Sequence, residues 1–194
     1  MGGLLDSRWA FRLRKPKHRR CREILHEELS HILVLALQTS LYYAPIAFDG
    51  ANIVTNISNR QIMAKREYIR ANKDWLEAKA KEEGVKALPK GIYYKVLSEG
   101  NQSSPQPSVR SIITAHYTGK TIDGKQFDSS RGGVPLACRL CDLIEGWIIA
   151  MQQMHIGDKW ELYIPAEMGF GKFSQPGIPG NSTLIFEIEL LGIA

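Results

Sequence analysis

Two periodicities divide the chain. From about Gln61 to Glu83 the residues are strong helix formers, and Ile62, Ile69, Leu76 and Ala80 recur at helical spacing before Gly84 stops the run. At 1.5 Å per residue this predicts a helix about 35 Å long. Its apolar stripe is thin, which suits a helix docked on a domain or paired with a second copy rather than one inside a core. "GVKALPKG" then breaks the pattern. After Gly91 alternation takes over: "IYYKVLS", "RSIITAHYTG", "KQFDSS", "KWELYIP" and "STLIFEIELLGI" are β-branched and aromatic runs separated by Pro, Gly, Asn and Ser clusters. "NQSSPQPS" reads as a flexible loop and "IDGK" as a hairpin turn. One short helical pattern, "GWIIAMQQMHIG", interrupts the strands. Antiparallel strands with one helix predict an α+β domain whose twisted sheet wraps that helix.

The first 60 residues follow neither pattern. A basic run precedes the acidic patch "HEELSH" and the apolar run "ILVLALQTSLYYAPIAF", which Gln38, Thr39, Ser40 and Pro45 interrupt. A spanning helix needs about 20 predominantly apolar residues, so no stable membrane span is expected. A secretory signal ending near Ala44 or Ala47 is one reading, opposed by Glu23, Glu27 and Glu28 in its flank. Another is a working chain that begins at Met63. The expected organisation is a leader of doubtful structure over 1–60, a helical extension and linker over 61–89, and one domain over 90–194.

Charge removes one function class. The net charge is +5, yet Arg8, Arg12, Arg14, Lys15, Lys17, Arg19, Arg20 and Arg22 all lie in the leader, and residues 63–194 hold 16 basic against 15 acidic groups. Nucleic acid is therefore not an expected partner: the basic segment has no helix-turn-helix or stacking-aromatic pattern. Three cysteines exclude a disulfide framework. Cys138 and Cys141 form C-x-x-C without the second ligand pair of a zinc site, and read as small apolar residues on or just after a strand. No Ser-His-Asp order, paired-carboxylate spacing or phosphate-binding loop is present. His116 beside Tyr117 points to the opposite strand face and reads as structural, while His155 closes a helical turn and favours the helix C-terminus.

Four collinear motifs carry a resemblance. "HYTGKTIDGKQFDSSR", "IEGW", "MQQMHIGDKWELYIPAEMGFG" and "PGIPGNSTLIFEIELL" resemble, in order and near-spacing, the FKBP-type peptidyl-prolyl cis-trans isomerases over roughly 90–194. The helical stretch running into "GVKALPKGIYYKVL" looks like the linker helix of the bacterial macrophage-infectivity-potentiator branch. The resemblance implies a twisted antiparallel sheet around one short helix. It also implies a site: Trp147 as pocket floor, Tyr117, Phe127 and Phe186 as walls, Leu143 and Ile144 on the rim with the Ile144 N–H holding a carbonyl. Asp128 matches the acid that bonds the neighbouring tyrosine, here Tyr117, and faces the twisting imide carbonyl. Ile178 matches the flap over the proline ring. Phe170 stands where tyrosine is usual, and Leu136 where an aromatic is common, which implies reduced affinity for macrolide inhibitors. Taken singly, Trp147 and Phe186 read equally as core residues and Asp128 as a strand-end acid.

The implied function is acceleration of X-Pro isomerisation during protein folding, without cofactor, metal or covalent chemistry. The expected partners are proline-containing polypeptides, and a homodimer through the helical extension is an option. The alternatives are an inactive proline-binding or chaperone module of the same fold, and a scaffold whose basic leader carries the function. The expected location is cytoplasmic, or exported and periplasmic if residues 1–47 act as a signal.

Overall fold

The computed structural model describes residues 50–194, with side chains from Asn59 onward. The basic run, the acidic patch, the apolar run and the signal reading of residues 1–47 lie outside the described residues. The described chain falls into two units whose boundary lies within the first helix, residues 50–65 in one and 66–194 in the other.

Helix α1 spans Gly50–Lys79, beginning inside the stretch expected to be leader and ending before Glu83. Its end is a tightening of the last turn. The N–H groups of Lys81 and Glu82 reach the carbonyls of Ala78 and Lys79, three residues back, and Gly84 turns the chain out with φ +80°. The "GVKALPKG" break contains a strand that alternation does not reveal. Strand β1 (Val85–Leu88) pairs antiparallel with β2 (Ile92–Ser98) across a turn in which Lys90 and Gly91 take φ of 62° and 73°.

The remaining strands lie close to their expected places: β3 Ile112–Thr121, β4 Gln126–Ser129, β5 Leu136–Arg139, β6 Lys159–Ile164 and β7 Leu184–Ile193. Every pairing is antiparallel, in the order β1-β2-β6-β7-β3-β4, with β5 sharing the outer edge of β3. The "IDGK" turn closes as expected: Thr121 and Lys125 are hydrogen-bonded and Gly124 has φ +79°.

Helix α2 covers only Glu145–Met151, although the apolar pattern continues to Ile156. Met154 is fully buried from a turn instead of from a helix. His155 therefore does not close the helix; its N–H donates to Asp158 Oδ2 at 2.7 Å within the following turn. The core lies between α2 and the inner sheet face, where Trp147, Ala150 and Met151 meet Leu162, Ile164, Leu184, Phe186, Ile188 and Leu190.

Alternation along β6 turns Trp160, Leu162 and Ile164 inward and leaves Tyr163 on the outer face. Tyr163 is nevertheless buried, because α1 covers it: the Trp75 ring meets it edge-on at 5.8 Å and Lys79 lies over both rings. Ile69, Leu76 and Ala80 of the expected stripe are half-buried along this seam, while Ile62 is exposed. Elsewhere on the outer face Glu187 pairs with Lys159 at 2.9 Å and Arg131 at 3.0 Å.

The sheet can wrap α2 tightly because one helical position lacks a side chain. A Cβ on Gly146 would lie 2.5 Å from Cγ2 of the fully buried Ile164. Helix propensity alone favours alanine over glycine by about 1 kcal/mol. Overpacking against a stiff β-branched side chain costs about 1–3 kcal/mol. Gly146→Ala is accordingly expected to destabilise the protein in urea unfolding; a stabilised variant would mean that α2 has room to move off the sheet.

Candidate active site

Strand β3 presents Ile113, Ala115, Tyr117 and Gly119 on one face, following its period of two. By the same rule Phe127 and Asp128 of β4 would point to opposite faces. They do not, because the register pairs Gly119 with Asp128 and Lys120 with Gln126, leaving Phe127 as an extra residue. Such a bulge re-aims side chains. Asp128 reaches the Tyr117 hydroxyl, and the Phe127 ring meets Phe186 of β7 edge-on at 5.6 Å. Gly119 makes this closure possible, since a Cβ there would lie 2.5 Å from Cε2 of Phe127 and 2.7 Å from Cε1 of Phe186.

Trp147, on the first turns of α2, completes the group. Its ring stands edge-on to Tyr117 at 5.3 Å and to Phe186 at 5.2 Å, the arrangement that aromatic quadrupoles favour. The indole N–H is buried with no hydrogen-bond partner among the described residues. Within this apolar box sits one acid. Asp128 is 7% exposed and accepts from the Tyr117 hydroxyl at 2.7 Å. Burial first, then this bond and the nearby carboxylate charge, push the Tyr117 hydroxyl far above the ordinary tyrosine range. The Tyr117 hydroxyl is thus placed as a donor to Asp128.

The other expected residues converge on the same cluster. Leu136 comes from β5, and Leu143 and Ile144 from the entry to α2, where the Ile144 carbonyl accepts from Trp147 at 3.1 Å and Ile148 at 3.2 Å. Both are buried. Phe170 follows the short 3-10 turn Ala166–Met168, and Ile178, 4% exposed, comes from the loop that precedes β7. That loop is pinched by reciprocal backbone bonds between Gln175 and Ile178, both 2.8 Å, and a Cβ on Gly177 would lie 3.7 Å from Cβ of Phe127. The loop therefore passes close against Phe127.

His116 faces away from the box, with Nδ1 3.0 Å from Ser130 Oγ, and Ser130 in turn accepts the Tyr117 N–H at 2.9 Å. Cys138 lies on β5 and Cys141 on the 3-10 turn Leu140–Asp142 that follows it. The residue that sequence reasoning missed is Gly119; a lone glycine inside a strand pattern is the signal of a bulge or a close approach.

A family match covers the same residues. A profile described as FKBP-type peptidyl-prolyl cis-trans isomerase matches residues 104–191, and one described as the domain amino terminal to it matches residues 46–96. The second match reaches into the stretch read as leader. FkpA of Escherichia coli strain K12 is 42% identical over 122 residues, which cover 62% of this chain and 44% of FkpA. The outer membrane protein MIP of Legionella longbeachae is 37% identical over 121 residues, covering 61% of this chain and 51% of that protein. Each alignment thus spans about half, or less, of the curated relative. The crystal structure of Escherichia coli FkpA matches with a TM-score of 0.62 at 32% identity, covering 84% of this chain and 81% of that one.

The same relatives correct the expected cytoplasmic location. The relative from Legionella longbeachae is an outer membrane protein by name, which overturns the cytoplasmic expectation. Among the described residues no helix is long and apolar enough to cross a membrane. The isomerase profile spans every residue that builds the box, the FkpA structure is matched over most of its length, and the chain belongs to the FKBP-type peptidyl-prolyl cis-trans isomerases.

Proposed function

We propose that the chain accelerates cis-trans isomerisation of X-Pro bonds in proline-containing polypeptides, with residues 90–194 as the isomerase domain and residues 61–89 as helical extension and linker. One arrangement supports this above all: the Tyr117–Asp128 hydrogen bond set among edge-on aromatic rings and nearly removed from water.

Rotation about the X-Pro bond breaks amide resonance, a barrier of about 18–20 kcal/mol, and breaks no covalent bond. Neither nucleophile nor cofactor has a role in such a step. Catalysis requires a surface that binds the twisted amide better than the planar one. The planar amide is the more polar state, with more negative charge on its oxygen, so a dry aromatic box disfavours it relative to the twisted state. In this reading Trp147 underlies the pyrrolidine ring, Tyr117, Phe127 and Phe186 flank it, and Leu136, Leu143 and Ile144 edge the pocket. Ile178 and Phe170 cover it. Asp128, held by Tyr117, faces the rotating carbonyl and repels its oxygen more in the planar state than in the twisted one.

Two finer features belong to the proposal. Phe170 offers no hydroxyl to a bound macrolide, which supports reduced affinity for such inhibitors. Ile62 and Met63 of α1, 47% and 62% exposed, support pairing of two copies through the helix.

In the full chain, Trp147→Leu removes part of the floor and with it apolar surface that grips the proline ring. This lowers kcat/KM for a short X-Pro peptide by about tenfold in a protease-coupled assay. Asp128→Ala lowers kcat in the same assay. Unchanged rates in both variants, with native circular dichroism, would remove these residues from the site. A wild-type protein that binds the peptide without accelerating exchange would instead establish the inactive binding module.

Phe170→Tyr restores one hydrogen bond to a bound macrolide, worth about 0.5–1.5 kcal/mol. Calorimetry is expected to show binding tighter by about two- to tenfold. Equal affinity would place this ring away from the ligand.

A further inference from the structure

The flap that carries Ile178 is tied to helix α1. Asn72 is 2% exposed although its neighbours Ala71 and Lys73 face solvent. Its Oδ1 accepts the Thr183 N–H at 2.7 Å, its carbonyl accepts the Thr183 hydroxyl at 3.3 Å, and its Nδ2 donates to the Tyr68 carbonyl at 2.9 Å. One turn earlier, the Tyr68 hydroxyl lies 2.7 Å from Ser182 Oγ. Ser182 Oγ donates to the Pro179 carbonyl at 2.6 Å. A serine hydroxyl has one hydrogen, so Tyr68 is the donor of its own bond. The relay runs from α1 through Tyr68 and Ser182 to Pro179, the residue after Ile178.

Within the loop the other ties are the Gln175–Ile178 backbone bonds and the Gly180 N–H on Ser174 Oγ at 3.1 Å, none of which reaches another element. Its base is closed by the Asn181 N–H on the Gly171 carbonyl at 2.8 Å, with Asn181 at φ +65°. Behind it lies a cleft of about 360 Å³, lined by Tyr68, Asp123, Lys125, Gln175, Ile178 and Pro179. Tyr68 and Ile178 thus face one open space, and the helix contacts set where the flap rests within it. A buried N–H deprived of its acceptor carries a desolvation penalty, so the Asn72–Thr183 bond fixes this register firmly.

We infer that Tyr68 and Asn72 are positioning residues for the isomerase site: helix α1 holds the flap down and so determines how tightly a proline-containing chain is gripped. The inference rests on the isomerase reading for its kinetic consequence, but not for its structural one. A loosened flap weakens interactions made equally with the planar and the twisted amide, which raises KM and leaves kcat unchanged.

The test uses the full chain with Tyr68→Phe, which removes only a hydroxyl, and Asn72→Ala. Amide hydrogen exchange is read at Ile178 and Asn181 of the flap and at Trp160 and Ile188 of the sheet. Exchange at the flap is expected to rise by about three- to tenfold with the sheet unchanged, and KM for an X-Pro peptide to rise by a similar factor at constant kcat. Flap exchange that stays at the wild-type rate overturns the coupling, as does a rise shared equally by the sheet. An unchanged KM in an active protein also overturns it. A wild-type chain without isomerase activity would defeat the functional reading alone, since exchange reports on the flap whether or not the chain is a catalyst.

Discussion

The geometry of this molecule turns on one buried polar pair. A carboxylate among aromatic rings loses its water, and only a fixed donor makes that position tenable. Tyr117 supplies the donor, but only if Asp128 points inward from β4, and Phe127 points inward as well only if the strand bulges. The bulge needs a partner position with no side chain, which Gly119 provides. Helix α2 must then come close enough to lay Trp147 against Tyr117 and Phe186, and Gly146 permits that approach to Ile164. Two glycines, one bulge and one hydrogen bond are therefore a single device.

The sheet is also covered from outside. Tyr163 and the two residues before β7, Ser182 and Thr183, are both met by α1, through Trp75 and Lys79 at one end and Tyr68 and Asn72 at the other. Because Ser182 and Thr183 join the Ile178 loop to β7, a helix docked on them is mechanically connected to the proposed roof of the site. The linker therefore bears on the region that would close over a substrate, as well as on the stability of the sheet.

Much of this was legible in the amino-acid order. The alternation in "KWELYIP" and "STLIFEIELLGI" marks β6 and β7 because their inner residues meet one core. The ten candidate site positions follow from the resemblance, and all ten lie in or against the one buried core. What periodicity misses has physical causes. Strand β1 is too short to show alternation, and the bulge suspends the period of two between Phe127 and Asp128. The apolar pattern after Met151 continues through a turn because Met154 is buried without being helical. Tyr163 and Asn72 are buried by tertiary cover from elements far away in sequence, which no local pattern encodes. Location failed for another reason, since the packing of the domain carries no address.

The central claim is that a desolvating aromatic box around Asp128 lowers the barrier to X-Pro rotation by itself. NMR exchange spectroscopy on a short X-Pro peptide, with the full chain in chelator-containing buffer, measures this directly. The account predicts cis–trans exchange much faster than the uncatalysed process, which takes tens to hundreds of seconds. Exchange at the uncatalysed rate, or acceleration that appears only when a metal ion is added back, would contradict it.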